Sequence, residues 1–351
     1  MSIKPIVVYY ICSIHDERTM MKPIKRTNKI NNADLFTTAA SEHYQKHIKT
    51  QSKQTLSFIN EKIDWQKLLQ PIERVLSQEK AGFSSSGRPS HDLFVIVKCF
   101  LLQSMYNLSD PRLEEEIADR RSFQLFLGMA SGDSIPDETT ICRYRELFAR
   151  LALDQKLFAS FNKQLSERGL IVGKGTIVDA TIKEAQATPN SHRDTDAQFT
   201  KRRGKTHYGY KGHIGMDEDT DVIHTVEFTT ANVHDSEKFD DLLLGTEKRV
   251  HADKGYANKE RRERLQRSGV QLKIMHKGYR NRPLTKRQRE QNKIFAKTRN
   301  AVEKPFAYMK VVLNYNRCKY YDFQRNRFQF SLAAVVYNIR RLVPLTLRYA
   351  T

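Results

Sequence analysis

The chain lacks the cysteine pattern of a disulfide framework or a zinc ribbon: its four cysteines, Cys12, Cys99, Cys142 and Cys318, are scattered and form no CxxC pair. That usage suits a reducing cytoplasm. No apolar run approaches the ~20 residues that a membrane span needs. The segment IVVYYICSI at 6–14 resembles a short signal core, but it is tyrosine-rich and runs into His15, Asp16 and Glu17 with no small-residue cleavage site. Met20 and Met21 precede a basic stretch, so the residues before them read as an upstream start choice. A P-loop is missing too: GLIVGKGT has only Leu170, Ile171 and Val172 between its first glycines, and Gly175 where Ser or Thr should follow Lys174. His207, His213, His234 and His251 lack compact spacing with cysteine, and zinc is not expected. No internal repeat is present. Acidic charge is scarce as well, with 40 acidic against 60 basic residues, a net +20 and a pI near 9.7. Such an excess favours a polyanionic partner, because each cation that meets a phosphate releases condensed counterions. A basic RNA-binding protein would share it, so charge alone says only nucleic acid.

The 351 residues suffice for two domains. Residues 1–55 are polar and read as mostly irregular, with one helix near 36–48. Residues 56–168 follow a helical pattern, broken by a loop around GFSSSGRPS. Asp110 followed by Pro111 reads as N-cap and N1 of a helix. Asp137 caps another, in which Ile141, Tyr144, Phe148 and Leu151 face the core while Arg143, Arg145 and Arg150 face outward. After Gly169 the texture changes. GTIVDAT is short, β-branched and glycine-bounded, the pattern of a buried strand. Residues 185–205 are polar and basic and read as a loop or insertion. YKGHIGMD and DVIHTVEFTT read as two strands around the turn DEDT. A helix around 235–244, a short strand KRVHAD, a helix NKERRERLQRSG and a strand VQLKIM follow, and the remainder is helical. Residues 169–345 therefore form a mixed α/β domain, and 346–351 a tail.

Three acids stand out. Asp179 follows Ile177 and Val178 on the first strand, where an ionised carboxylate is costly unless it is paired or holds a metal. Taken alone, it also reads as a strand-end turn cap. Asp253 ends KRVHAD, and acids at the carboxyl ends of strands in α/β sheets often face a ligand crevice. It reads equally as a helix N-cap for ANKERRERL. Glu303 lies in KTRNAVEKPFAYMK, four residues after Arg299 and seven before Lys310. At ~100° per helical residue these three share one face, about 100° from a stripe of Val302, Phe306, Met309 and Leu313. The same spacing also fits a weak surface ion pair between Arg299 and Glu303. Two-metal phosphoryl transfer needs carboxylates from separate elements to hold ions ~3.5–4 Å apart, and hard oxygen ligands favour Mg²⁺, with Mn²⁺ as a substitute. Between 277 and 310 there are eleven basic residues, among them Arg280, Arg282, Lys286, Arg287 and Arg289, opposed only by Glu290 and Glu303. A solvated helix face mixes signs, so this asymmetry favours phosphate contact. Lys201, Arg202, Arg203 and Lys205, with Tyr208 and Tyr210 nearby, make a second candidate DNA-binding segment, and an unordered loop fits them as well. Tyr256 has the chemistry of a recombinase nucleophile, but with fifteen tyrosines no single one stands out.

The stretches MYNLSDPRLEEEIADRRSFQLFLG, SIPDETTICRYR, RGLIVGKGTIVDATIKEA, HYGYKGHIGMD, TTANVHDS, HADKGYAN and RNAVEKPFAYMK, in this order over roughly 60–345, resemble the DDE transposases of bacterial insertion sequences, in particular the insertion-sequence-five group. The resemblance implies an RNase H-like catalytic domain, a mixed sheet with flanking helices, preceded by a helical domain that recognises terminal inverted repeats. It carries the metal-ligand roles to Asp179, Asp253 and Glu303. Related transposases share a Tyr-x2-Arg-x3-Glu-x6-Lys signature; Arg299, Glu303 and Lys310 match it, whereas Ala296 stands in the tyrosine position. Arg299 and Lys310 would then position DNA. The implied activity is cleavage of double-stranded DNA at element ends, with water as first nucleophile, then joining of the freed 3′-hydroxyl to target DNA. The implied setting is a homodimer or larger assembly on DNA, in the cytoplasm and associated with the nucleoid. The rival expectations are an RNase H-like nuclease that cuts without joining and a domesticated, catalytically silent DNA-binding protein.

Overall fold

The β-branched run that begins at Gly175 becomes the strand on which the rest of the sheet is assembled. The computed structural model describes Tyr44 and residues 50–80, 91–130, 132–189, 193–202, 204–279 and 281–349. The helix expected near 36–48 lies outside these residues apart from Tyr44, which is helical, and Arg203 and Arg280 also lie outside. From Gln51 onward the described residues form seven helices before the sheet: α1 (Gln51–Lys62), α2 (Trp65–Lys80), α3 (Leu93–Tyr106), α4 (Asp110–Asp119), α5 (Arg121–Leu127), α6 (Glu138–Arg150) and α7 (Leu153–Glu167). Side-chain oxygens of Thr50, Asp92, Ser109 and Asp137 cap four of them, each satisfying a backbone N–H that a helix start leaves open. α3 is apolar on nearly every side and buried along Val95–Gln103, as a central helix should be.

Two expectations in this region change together. Ser109 is the cap of α4, accepting from Arg112 N at 3.4 Å, so Asp110 is the first helical residue. Its carboxylate is then free to take the guanidinium of Arg145 at 2.8 Å, and Gln103 accepts a further bond from Arg145 at 3.0 Å. Arg145 is therefore buried, at 4% exposure, rather than facing outward. Its charge is tolerated because it is paired and hydrogen-bonded.

The sheet comprises β1 (Gly175–Glu184), β2 (Gln198–Arg202), β3 (Lys205–Asp217), β4 (Ile223–Thr230), β5 (Arg249–Ala252) and β6 (Gln271–Ile274). β1 pairs antiparallel with β3 and parallel with β5; β3 pairs antiparallel with β4, and β5 parallel with β6. This mixed sheet, with three antiparallel strands followed by two parallel ones, is the arrangement expected of an RNase H-like domain. β2 was expected to be loop. It is instead the outer strand of a hairpin closed at Gly204, where φ is +78° and a side chain would be strained. The helix expected at 235–244 is two 3₁₀ turns, Asp235–Lys238 and Asp240–Leu242. Phe239 and Leu242 are both fully buried, and a spacing of three suits the tighter 3₁₀ repeat. The P-loop-like glycines after α7 present their N–H groups to the protein itself: Val172 and Gly173 donate to the Asp217 carboxylate at 2.9 and 2.8 Å.

α8 (Lys259–Arg267) connects β5 to β6, and after β6 come α9 (Lys286–Arg299), α10 (Glu303–Ala307) and α11 (Phe323–Tyr349). α11 returns to the N-terminal helices. Phe328 packs edge-on against Phe100 and Phe148, with ring centroids 5.1 and 6.2 Å apart. Two residues on, Phe330 meets Phe228 of β4 at 5.7 Å. Asn338, fully buried, bonds Asn162 of α7 and both backbone groups of Ile223. The first seven helices and the sheet consequently share one continuous apolar core. Gly212 makes the close approach of β3 to α11 possible, since a Cβ there would come within 2.9 Å of Phe330 Cδ2 and closer to its neighbouring ring atoms. Gly212→Ala is expected to lower unfolding stability by about 1–3 kcal/mol through overpacking, read as a lower denaturant midpoint with unchanged slope.

Candidate active site

Register places the first two acids. Val178 of β1 and Ala252 of β5 are partners in the parallel ladder, so Asp179 and Asp253 occupy the next position on adjacent strands. Side chains alternate along a strand, which sends both carboxylates to the same side. Asp179 is 7% exposed and Asp253 partly exposed. Asp253 also accepts from Lys254 N at 2.7 Å and caps the 3₁₀ turn Lys254–Tyr256. The cap of the following helix α8 is Asn258, not Asp253.

The third acid arrives on a helical run that is not uniform. α9 passes into a 3₁₀ turn at Asn300–Val302, then α10, then a π-helical turn at Tyr308–Val312. Pro305 has no N–H to give the preceding turn, which accounts for the helix restarting near Glu303. The buried stripe Val302, Phe306, Met309 and Leu313 is present. Arg299 and Glu303 remain neighbours at i, i+4 across the 3₁₀ turn, and Lys310 falls within the π-helical turn. Arg299 Nη2 binds the Asp179 carboxylate, and Nη1 lies 4.0 Å from Glu303 Oε1. Glu303 itself projects outward, its side chain 67% exposed. Lys310 is exposed, and its charge acts on Lys183, four residues farther along β1 than Asp179. Lys183 is fully buried, bonds the carbonyl of Tyr315 and lies 3.9 Å from that ring's centre.

Burial raises the pKa of Asp179, opposed first by the Arg299 charge, then by the backbone N–H of Ala180 and by Arg202; the nearby Asp253 raises it further. Arg202 thus reaches the site from β2. Lys201, Arg202 and Lys205 are exposed on the hairpin, and Arg282, Lys286, Arg287 and Arg289 are exposed at the start of α9 and just before it. Tyr256 was not distinguished in the sequence. Its ring is 1% exposed against Phe239, and its hydroxyl is buried without a hydrogen-bond partner in the field of Asp179, Asp235, Arg299 and Asp253. Burial and those acids hold its pKa well above the ordinary phenol value. Nothing in the sequence separates that tyrosine from the others, because its setting comes from three distant elements.

Among the described residues, no three His, Cys, Asp or Glu side chains stand close enough together to hold one ion. The donor chemistry nevertheless fits a divalent cation. Two carboxylates sit side by side, an unbonded hydroxyl is buried beside them, and Glu303 is joined to the pair through Arg299.

The family model for the transposase DDE domain matches residues 172–339, which span β1, β5 and the Arg299–Lys310 run. Residues 172–339 are thus similar to a transposase DDE domain. A second model, also a transposase domain, matches residues 42–147, the region of the N-terminal helices. A cryo-EM structure of the piggyBac transposase synaptic complex with hairpin DNA is similar at a TM-score of 0.44 and 11% identity, over 76% of this chain and 70% of that one. At that level the likeness carries no argument. Divalent metal use is general in the DDE family, and among the described residues no helix is long and apolar enough to cross a membrane.

Two stability measurements follow from the charges around β1. Because folding raises the Asp179 pKa, ionisation costs stability as pH rises from the unfolded value near 3.8 through the folded one. Asp179→Asn is expected to melt at or above wild type at neutral pH, with the gain vanishing as pH falls toward 4. Lys183 runs the other way: burial, then the Lys310 charge, lower its pKa to about 7 from 10.5. The unfolded chain binds the extra proton between those values, so wild type should gain stability relative to Lys183→Met as pH rises from about 7 to 10.5. Paired melting curves across that range check the sign.

Proposed function

We propose that this protein is a transposase that binds the terminal inverted repeats of an insertion sequence, cleaves DNA at the element ends and joins the 3′-hydroxyl ends to target DNA. The observation that carries the reading is the register match of Asp179 and Asp253 on adjacent parallel strands, with Arg299 on Asp179, within the residues similar to a transposase DDE domain. Asp179, Asp253 and Glu303 hold divalent cations, Mg²⁺ with Mn²⁺ as a substitute. When bound, such cations offset the negative charge that develops on attacking and leaving oxygens. The carboxylates fix where the reacting phosphodiester lies relative to those cations. Arg299 exchanges its bond to Asp179 for a backbone phosphate, which frees that carboxylate and lets Glu303 approach. Lys310, Lys201, Arg202, Arg203 and Lys205 contact the DNA backbone, as do Arg280, Arg282, Lys286, Arg287 and Arg289, consistent with the +20 net charge. Two ends must be brought together for joining, so a homodimer or larger assembly forms on DNA. The N-terminal helices contribute end recognition, and the protein acts in the cytoplasm at the nucleoid.

The test uses the full chain, Mg²⁺ and duplexes carrying the DNA that flanks the reading frame. Asp179→Asn, Asp253→Asn and Glu303→Gln are each expected to reduce cleavage on the order of a thousandfold, the effect of losing several kcal/mol of transition-state stabilisation. All three should still bind the duplex in EDTA. Pre-cut ends then separate the rivals: cutting without joining assigns the chain to the nucleases. Binding with neither reaction assigns it to silent DNA-binding proteins. Cleavage that survives Asp179→Asn would overturn the site.

A further inference from the structure

β2 lies at the edge of the sheet and, among the described residues, pairs only with β3. An edge strand is ordinarily guarded by charge, yet Phe199 stands on this one 54% exposed. A lone exposed ring needs no explanation; the surroundings of this one give it a use. The register sets Phe199 opposite Tyr208 and Lys201 opposite Thr206. Residues two apart on a strand share a face, and so do residues directly opposed on its partner. These four side chains therefore make up one face of the hairpin, and Thr200, Arg202, Lys205 and His207 make up the other. The second face meets β1, where His207 Nδ1 lies 3.0 Å from Glu184 Oε1.

The first face carries its own support. The Phe199 and Tyr208 rings lie 4.9 Å apart, tilted by 48°. Tyr208 is half-buried and donates its hydroxyl to the Asp194 carbonyl at 2.8 Å, which fixes the ring that Phe199 rests on. Lys201 and Thr206 are exposed beside the pair, ~7 Å along the strands. An aromatic surface with a cation and a hydroxyl one repeat away matches the base and phosphate of a nucleotide.

We propose that this face is a stacking platform for one unpaired base of a DNA strand. Phe199 takes the face of the base, and Tyr208 backs the ring so that little freedom is lost on binding. Lys201 and the Thr206 hydroxyl take the adjoining phosphate. Such stacking is indifferent to sequence, because every base has a π-face. Reading a duplex groove instead calls for donors and acceptors aimed at base edges, and the middle of this face is two rings. The choice of DNA as the strand rests on the DNA-cleaving reading, but the stacking contact is measurable without cleavage.

The experiment uses the full chain in EDTA, with a labelled blunt duplex and the same duplex carrying a single-stranded tail whose first base is a fluorescent purine analogue. Wild type is expected to bind the tailed duplex about tenfold more tightly than the blunt one and to quench the analogue. Phe199→Ala should bind both duplexes as wild type binds the blunt one and lose the quench, whereas Phe199→Trp should keep the preference and the quench. In a salt series the logarithmic slope should be unchanged in Phe199→Ala, which loses no phosphate contact, and flatter by about one in Lys201→Ala. A tail preference that is absent in wild type, or kept by Phe199→Ala, overturns the platform. An equal loss of affinity for both duplexes in Phe199→Ala marks a groove contact and overturns it too. A preference that depends on Phe199, in a chain that cuts no DNA with Mg²⁺, keeps the platform and overturns the DNA-cleaving reading instead.

Discussion

A carboxylate on the central strand of a sheet has to be neutralised, and the arrangement of the C-terminal half follows from how that is done. Asp179 pairs with Ile214 of β3 on one edge, while the ladder to β5 ends one residue earlier, at Val178. Relief comes from Arg299 at the end of α9 and from Arg202 on the β2–β3 hairpin. The helical run after β6 is thereby tied to the first strand, and Glu303 is brought to the same guanidinium. The ion pair is a compromise. Burial still outweighs both cations in setting the Asp179 pKa, which lies above the ordinary carboxylate value.

That position is held from behind by packing, not by electrostatics. Phe330 against Phe228, Phe328 between Phe100 and Phe148, and the Asn162–Asn338 lock on Ile223 make α11 a plate joining the N-terminal helices to β3 and β4. β3 in turn carries β1. The N-terminal helices and the sheet are thus packed over one continuous apolar core.

Much of this was legible in the residues. GTIVDAT is a buried strand because β-branched runs bounded by glycine rarely do anything else, and the ordered motifs carried the three acids and the mixed sheet. Two readings failed for one reason: a side chain was judged without its partner. Arg145 reads as a solvent-facing base until Ser109 takes the cap and frees Asp110. Residues 198–202 read as loop because an edge strand with polar side chains has no apolar period to betray it. Of the face expected for Arg299, Glu303 and Lys310, the neighbourhood of Arg299 and Glu303 is present.

The sequence by itself determined the elements and the chemistry available to them: a +20 chain, acids at strand ends, a basic run ahead of Glu303, and the buried stripe that orients it. Those properties are local, set by periodicity and side-chain type within a window of a few residues. Which groups meet was decided only by the tertiary structure. Parallel register put Asp253 beside Asp179, antiparallel pairing set Lys211 opposite Ile182 on the same strand, and burial isolated the Tyr256 hydroxyl. Such neighbours are separated by tens of residues, and the cost of closing those loops is met by the packing of the whole sheet, which no local pattern records.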